Sequence, residues 1–390
     1  MAQQKLPCVK PWTTFRVEDH KGNIKPCCYT PVNFGNINFH SFEEIWNGEG
    51  YRAMRQSMAC GDVARVCPPY CPMLLGEYNE PDFVPATAAA VANLAIQRQE
   101  IQAGATVLKS MPTILRATPT VRCNLKCKFC YQPHGDRVVL PPNIEQTLER
   151  QFPYAGEFEI LGGEPLITSE CIRLIQRADP ERFPDLKLAL ITNGTVVTEP
   201  VARLLGTRRI AWILVSIDAA TAETYRNVRG ADFRNVIKGV RRLNDIRTQH
   251  GKTWDLTINF ILMKSNLHEA AAFVDLARSL DVAFRFSAII GTWHGESFYD
   301  DPAEVERARR IVGDLESQIG PDDAAGREHR LRSVRAYIDH EAEASASGSG
   351  DESCPDNASP AASAFGRPTA KFPDIAEKSA ESRRVESGRG

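Results

Sequence analysis

The sequence predicts an α/β protein: a partial, TIM-like (β/α)6 barrel preceded by a small cysteine-rich α+β domain. Two observations carry that prediction. Between about residues 118 and 318, short β-branched runs alternate six times with helix-length amphipathic segments. That rhythm implies parallel strands joined by helical crossovers and wholly or partly closed into a barrel. Nine of the eleven cysteines fall within the first 130 residues, in two groups, one ahead of the barrel and one at its start. The opening, MAQQKLPCVKPW, has neither the basic segment nor the apolar stretch of an export signal. An odd cysteine count in such a chain favours metal binding or catalysis over a disulfide framework.

Composition narrows the class further. With 390 residues, 43% of them hydrophobic, the chain can bury one large core or two modest ones. A net charge of −2 advertises neither a nucleic-acid partner nor an anionic membrane. No apolar run approaches the ~20 residues of a membrane helix. A soluble, cytoplasmic protein is the expectation.

Residues 1–82 are rich in Cys, Pro and aromatics. NIKPCCY (23–29) and GNINF (35–39) read as short strands, and 41–58 as one helix opened by the capping box Ser41-x-x-Glu44. Such a loop-rich piece should have little core of its own, and a metal cluster would staple it. Residues 83–117 read mostly as a connecting helix. In the barrel, 118–318, the strands are read at 118–123, 158–161, 187–193, 211–218, 255–262 and 283–289. Helices at 169–178, 233–247 and 267–280 lie between them. A helix at 319–341 follows, and 342–390, rich in Ser, Ala, Gly and charge, reads as disordered. Ligands in such folds bind at the C-terminal ends of the strands.

The segment V-R-C-N-L-K-C-K-F-C-Y places Cys123, Cys127 and Cys130 as C-x3-C-x2-C directly after the first expected strand. Three thiolates on one loop hold three irons of a cubane and leave the fourth open to an added ligand. A Cys3His zinc site using His134 is the other chemistry this spacing allows. One β–α unit later comes L-G-G-E-P, with Gly162, Gly163, Glu164 and Pro165. T-N-G ends the third strand at Asn193, S-I-D ends the fourth from Ser216, and N-V-R-G supplies Arg229.

In that order these motifs resemble the radical S-adenosylmethionine (SAM) family over about residues 118–290. The resemblance implies a 4Fe–4S cluster on the three cysteines, with SAM chelated at the open iron. It implies that the GGEP turn meets the methionine amino group and that Asn193 meets the ribose. Ser216 would serve the methionine carboxylate or ribose, and Arg229 would grip the carboxylate. Phe129 would pack near the adenine, with strand residues near Met263 and Ile289 as further neighbours of the ring. Reductive cleavage of SAM to a 5′-deoxyadenosyl radical, then hydrogen abstraction from substrate, is the implied chemistry.

Cys8, Cys27, Cys67 and Cys71, spaced around Gly22 and the GN…EIWN stretch, are similar to the SPASM/twitch extension of that family. That likeness implies one auxiliary 4Fe–4S cluster, placed before the barrel rather than after it as in most relatives. Four cysteines also suit a zinc ribbon. Cys28 is an alternative to Cys27, and Cys60 is a spare ligand or a small core residue. Cys171 reads as inert core, with hydrogen donation to a product radical as the sharper alternative. Tyr225, Asp218 and the His294–Glu296 pair lie near strand ends, but no general base is assigned. The implied partners are a small sugar-, nucleotide- or polyol-like substrate and a reductant such as flavodoxin or ferredoxin. A peptide-modifying maturase and a non-catalytic metal-braced scaffold are the competing readings.

Overall fold

The computed structural model describes residues 6–30, 32–77, 82–132, 141–290, 295–319 and 330–346. Its centre is one eight-stranded sheet. The strands are β1 (Thr14–Val17), β2 (Ile24–Lys25), β3 (Ile114–Ala117), β4 (Glu157–Ile160), β5 (Lys187–Thr192), β6 (Ile210–Ser216), β7 (Asp255–Leu262) and β8 (Ala283–Ala288). They lie in the order β2-β1-β3-β4-β5-β6-β7-β8. From β3 to β8 every neighbour is parallel and sequential, as the six β–α repeats require. The two sheet ends, β2 and β8, do not pair, so the barrel is partial.

The amino-terminal segment, which precedes the barrel in sequence, also adds two strands to its sheet. Strand β1 runs parallel to β3 in register, Arg16 opposite Arg116, and β2 pairs antiparallel to β1. Nor does the segment lack a core. Trp12, Phe15, Trp46 and Tyr51 are fully buried, and they belong to one hydrophobic cluster that continues through the barrel. Arg55 lies over the rings of Trp46 and Tyr51 and donates to the Pro11 and Thr106 carbonyls. These contacts offset much of the cost of burying the guanidinium, whose Nη2 is left without a hydrogen bond.

Several boundaries differ from the sequence reading, each for a physical reason. The first barrel strand lies at 114–117, and 118–123 is an extended loop, because Pro119 has no N–H to give a ladder. Residues 35–39 form a turn rather than a strand. There the Asn36 side-chain amide donates to the Lys21 carbonyl and to Asn23 Oδ1, replacing ladder bonds with local ones. The helix expected over 41–58 is two, Phe42–Trp46 and Glu49–Ala59, with the capping box intact. It breaks where the Asn47 side chain pairs with the Leu108 backbone. The connecting helix covers only Ala88–Gln102. Its buried Asn93 and Gln97 bond the Met111 and Trp12 carbonyls and so tie the starts of β1 and β3 together. The carboxy-terminal helix runs Leu331–Ala346, after another at Pro302–Ile319. Most of the Ser/Ala/Gly-rich stretch, with Cys354, lies outside the described residues, as do His134 and His294.

The final helix links the two ends of the open sheet. Tyr337 packs on Tyr70, beside the Cys67–Cys71 turn, and on Tyr299, which follows β8. Glu77 accepts from the Arg332 and Ser333 amides at the helix start.

Side-chain alternation then divides the sheet into two faces. Phe15, Phe158, Leu188, Ile213 and Phe260 point outward to the helices, shown by Phe15 on Phe42 and Phe260 on Phe273. The inner face carries Arg16, Lys25, Arg116, Glu157, Glu159, Trp212, Asn259, Arg285 and Ser287, following the strand register. Among the described residues, no helix is long and apolar enough to cross a membrane.

Candidate functional site at the strand ends

The cysteine loop leaves β3 and is held on three sides. Gly163 N–H donates to the Thr120 carbonyl, and Glu164 N–H to that of Arg122, so the GGEP turn after β4 zips onto it. A Cβ on Gly162 or Gly163 would overlap those same carbonyls. The close approach these glycines permit is therefore to the cysteine loop. On the second side, Asn193 Nδ2 reaches Cys123 Sγ at 3.7 Å and Asn124 Oδ1 at 2.9 Å. On the third, Lys128 N–H donates to the Val228 carbonyl, and its ammonium pairs with Glu296 at 2.6 Å. That ion pair joins the loop after β3 to the one after β8, across the barrel mouth.

Donors converge on the thiols. Leu125 N–H lies 3.4 Å from Cys123 Sγ, and Arg229 Nη1 lies 3.5 Å from Cys127 Sγ. Burial raises the Cys123 and Cys130 thiols above their ordinary range. Holding them as thiolates therefore calls for a cation or metal, which N–H···S donors then assist. Among the described residues, no three Cys, His, Asp or Glu side chains are drawn together as one metal ion would need. A cubane spreads its thiolates over separate irons, and this donor set fits one.

Glu164 has its carboxylate buried and occupied. It accepts from Thr192 Oγ1 (2.7 Å), Asn193 N–H (2.6 Å) and Leu166 N–H (3.0 Å), bracing the β4 turn against the end of β5. Asn193 is likewise engaged, its Oδ1 accepting from Thr195. Pro165 opens the short turn that follows. Ser216 stands at the end of β6 opposite Asn259, and its hydroxyl has no protein partner among the described residues. Met263 and Ile289 are buried in the core.

Arg229 is buried, ion-paired to Asp218, and lies 5.1 Å over the Phe129 ring. Burial pulls the guanidinium down, but Asp218 and the Cys127 thiol outweigh it and hold it charged. Its Nε is buried without a partner. Asp218 has φ 61°, a left-handed conformation at the end of β6, and accepts from Ile261 N–H at 2.7 Å. Asp218 and Glu296 are thus ion-pair partners rather than free bases. Cys171 is fully buried and its thiol is pushed up to about 12 by burial, as inert core requires.

In the second cysteine group, Cys8, Cys27, Cys67 and Cys71 are all buried. Burial raises the Cys67 thiol, and the charges of Cys27, Cys71 and Cys8 raise it further. Cys60 is exposed at a helix end. Cys28 is solvent-accessible; burial raises its thiol, and the Arg16 guanidinium lowers it. Tyr131 shows the same combination beside Glu18 and Arg16. Arg16 stands on the inner face of the sheet, so Cys28 and Tyr131 border that face.

The family model of the Radical SAM superfamily matches residues 117–277, and that of an iron-sulfur cluster-binding domain (SPASM) matches 8–72. The chain thus carries a radical SAM domain and a SPASM domain. Its radical SAM domain is of the kind that takes a 4Fe–4S cluster and SAM, and its SPASM domain is of the kind that takes auxiliary clusters. It is 26% identical over 172 residues to a probable GTP 3′,8-cyclase of Methanocaldococcus jannaschii, covering 43% of this chain and 55% of that one. To the pre-heme d1 synthase of Dinoroseobacter shibae it is 29% identical over 248 residues, covering 59% and 58%. Among solved structures, SuiB of Streptococcus suis bound to S-adenosylmethionine matches with a TM-score of 0.45 at 18% identity, over 71% and 62%. The chain spans between half and two thirds of these proteins' lengths.

Glu157, on the inner face of this radical SAM barrel, makes a test of pH dependence. Its Oε2 accepts from the Trp212 indole, Oε1 is buried without a hydrogen bond, and burial pushes the carboxyl up to about 7. The proton therefore binds more tightly in the folded chain than in the unfolded one, where the pKa is ~4.3. The resulting stability is complete below the unfolded value and lost as pH rises through the folded one. Glu157→Gln should remove a decline of a few kcal/mol between about pH 4.5 and 7 in chemical denaturation. An unchanged slope would assign that proton elsewhere.

Proposed function

We propose that Cys123, Cys127 and Cys130 hold the cluster and that Phe129, Gly162, Gly163, Glu164, Pro165, Asn193, Ser216 and Arg229 surround SAM. The substrate is a small polar molecule against the inner face. With cluster and SAM bound, the site would supply radical chemistry by reductive cleavage of the sulfonium. The chain's residues position and shield that chemistry. Arg229, Asn193 and the Leu125 amide direct N–H groups at the cysteine sulfurs. The Lys128–Glu296 pair restricts water at the mouth, and the free Ser216 hydroxyl offers a contact at the end of β6. Cys8, Cys27, Cys67 and Cys71 would hold one auxiliary cluster able to take an electron from a product radical, and a flavodoxin- or ferredoxin-like protein would supply the reducing electron.

The observation that carries the substrate reading is the polar inner face itself. Asn259 Oδ1 accepts from Arg285 Nε and Ser287 Oγ on the neighbouring strand, an arrangement suited to hydroxyl and ring-nitrogen groups rather than to an apolar guest. The names of two relatives, a GTP cyclase and a pre-heme synthase, also denote small-molecule chemistry. The test is anaerobic reconstitution, then SAM, dithionite and deuterated nucleotides, sugars or polyols. Deuterium carried into 5′-deoxyadenosine from one of them is the expected result. A reducible cluster that never cleaves SAM would sink the enzymatic reading.

A further inference from the structure

We infer that the inner face at β1–β3 is an anion site centred on Lys25 with Arg16 beside it, and that the substrate therefore carries a carboxylate or phosphate. The inference rests on the function proposed above and adds the charge class of its substrate.

Three cations occupy in-register positions on one face of three adjacent strands: Lys25 opposite Arg16, and Arg16 opposite Arg116. Two carboxylates answer them. Arg16 pairs with Glu18, and Arg116 with Glu159 at 2.9 Å. Lys25 is 2% exposed, and its ammonium has no hydrogen bond and no ion pair among the described residues. Asp19, also nearby, is already taken by the Lys21 and Asn23 amides and by Asn23 Nδ2. The ammonium is not among the fully enclosed unpartnered atoms, so it keeps a narrow solvent contact on the inner face, where an anion can reach it and pair with it. Cys28 and Tyr131 border the face it shares, both within electrostatic reach of Arg16. An anionic group held there would lie between the strand leading to Cys27 and the loop bearing Cys130, between the two cysteine groups.

Equilibrium binding of pyrophosphate and of citrate to the full reconstituted chain, without SAM or reductant, tests this. Wild type should bind one of them, and the one bound distinguishes phosphate from carboxylate. Lys25→Met should weaken that binding about ten- to a hundredfold, the worth of one charged contact, while Lys25→Arg retains most of it. Absence of binding of either anion to wild type would overturn the proposal. So would a Lys25→Met chain that binds equally well but loses auxiliary iron, since the lysine would then serve the cluster. Because SAM cleavage is not the readout, failure of the enzymatic reading leaves this result legible.

Discussion

Replacing Cys123, Cys127 and Cys130 together with alanine should abolish SAM cleavage and lower the iron content from about eight to about four per chain. The magnitude follows from the proposed assignment: three thiolates on one loop would be the whole protein share of that cubane, with Arg229, Asn193 and Leu125 directing N–H groups at the thiols. The fold should survive, because the loop hangs from backbone bonds to the GGEP turn and to Val228 that alanine does not touch. Near-UV circular dichroism checks that condition. Four irons and one zinc in wild type, with none of the iron left in the variant, would keep the radical site and turn the amino-terminal group into a zinc ribbon. Eight irons in the variant would remove the three cysteines from cluster binding.

Much of this arrangement is legible in the chain because it is local. The runs DLTINFIL and KLALIT are bounded by turns and lie where their β-branched content places them. The partnership of β1 with β3 is not local: TFRV is four residues long, and its partner lies about a hundred positions away. Nothing in its own sequence says which edge it joins. The fate of Glu164 was hidden for a related reason. A carboxylate after a double glycine suggests an outward task, but its three donors come from its own turn and the next strand end. The inner face was readable and passed unread. In I-L-R-A, E-F-E-I and A-F-R-F-S, charged or polar residues alternate with apolar ones, the pattern of a strand with one core face and one wet face.

Asp218→Asn should be among the most damaging single changes outside the cysteines. Asparagine keeps the left-handed backbone at φ 61° tolerable and can still accept from Ile261 N–H, so the change isolates the lost charge. What remains is a buried Arg229 without its counter-ion, a state that typically costs about 3–5 kcal/mol. Anaerobic chemical denaturation measures that loss, and stability equal to wild type would deny the pair its role. The double variant Asp218→Asn/Arg229→Met then separates structure from chemistry. Replacing both members of a buried pair with an uncharged set often restores stability. Yet the N–H donor 3.5 Å from Cys127 Sγ is gone, and with it the positive charge of that guanidinium. Recovered folding with a shifted cluster reduction potential and little SAM cleavage would make Arg229 a working part of the site. Recovery of folding, potential and cleavage together would reduce the pair to a brace for the end of β6.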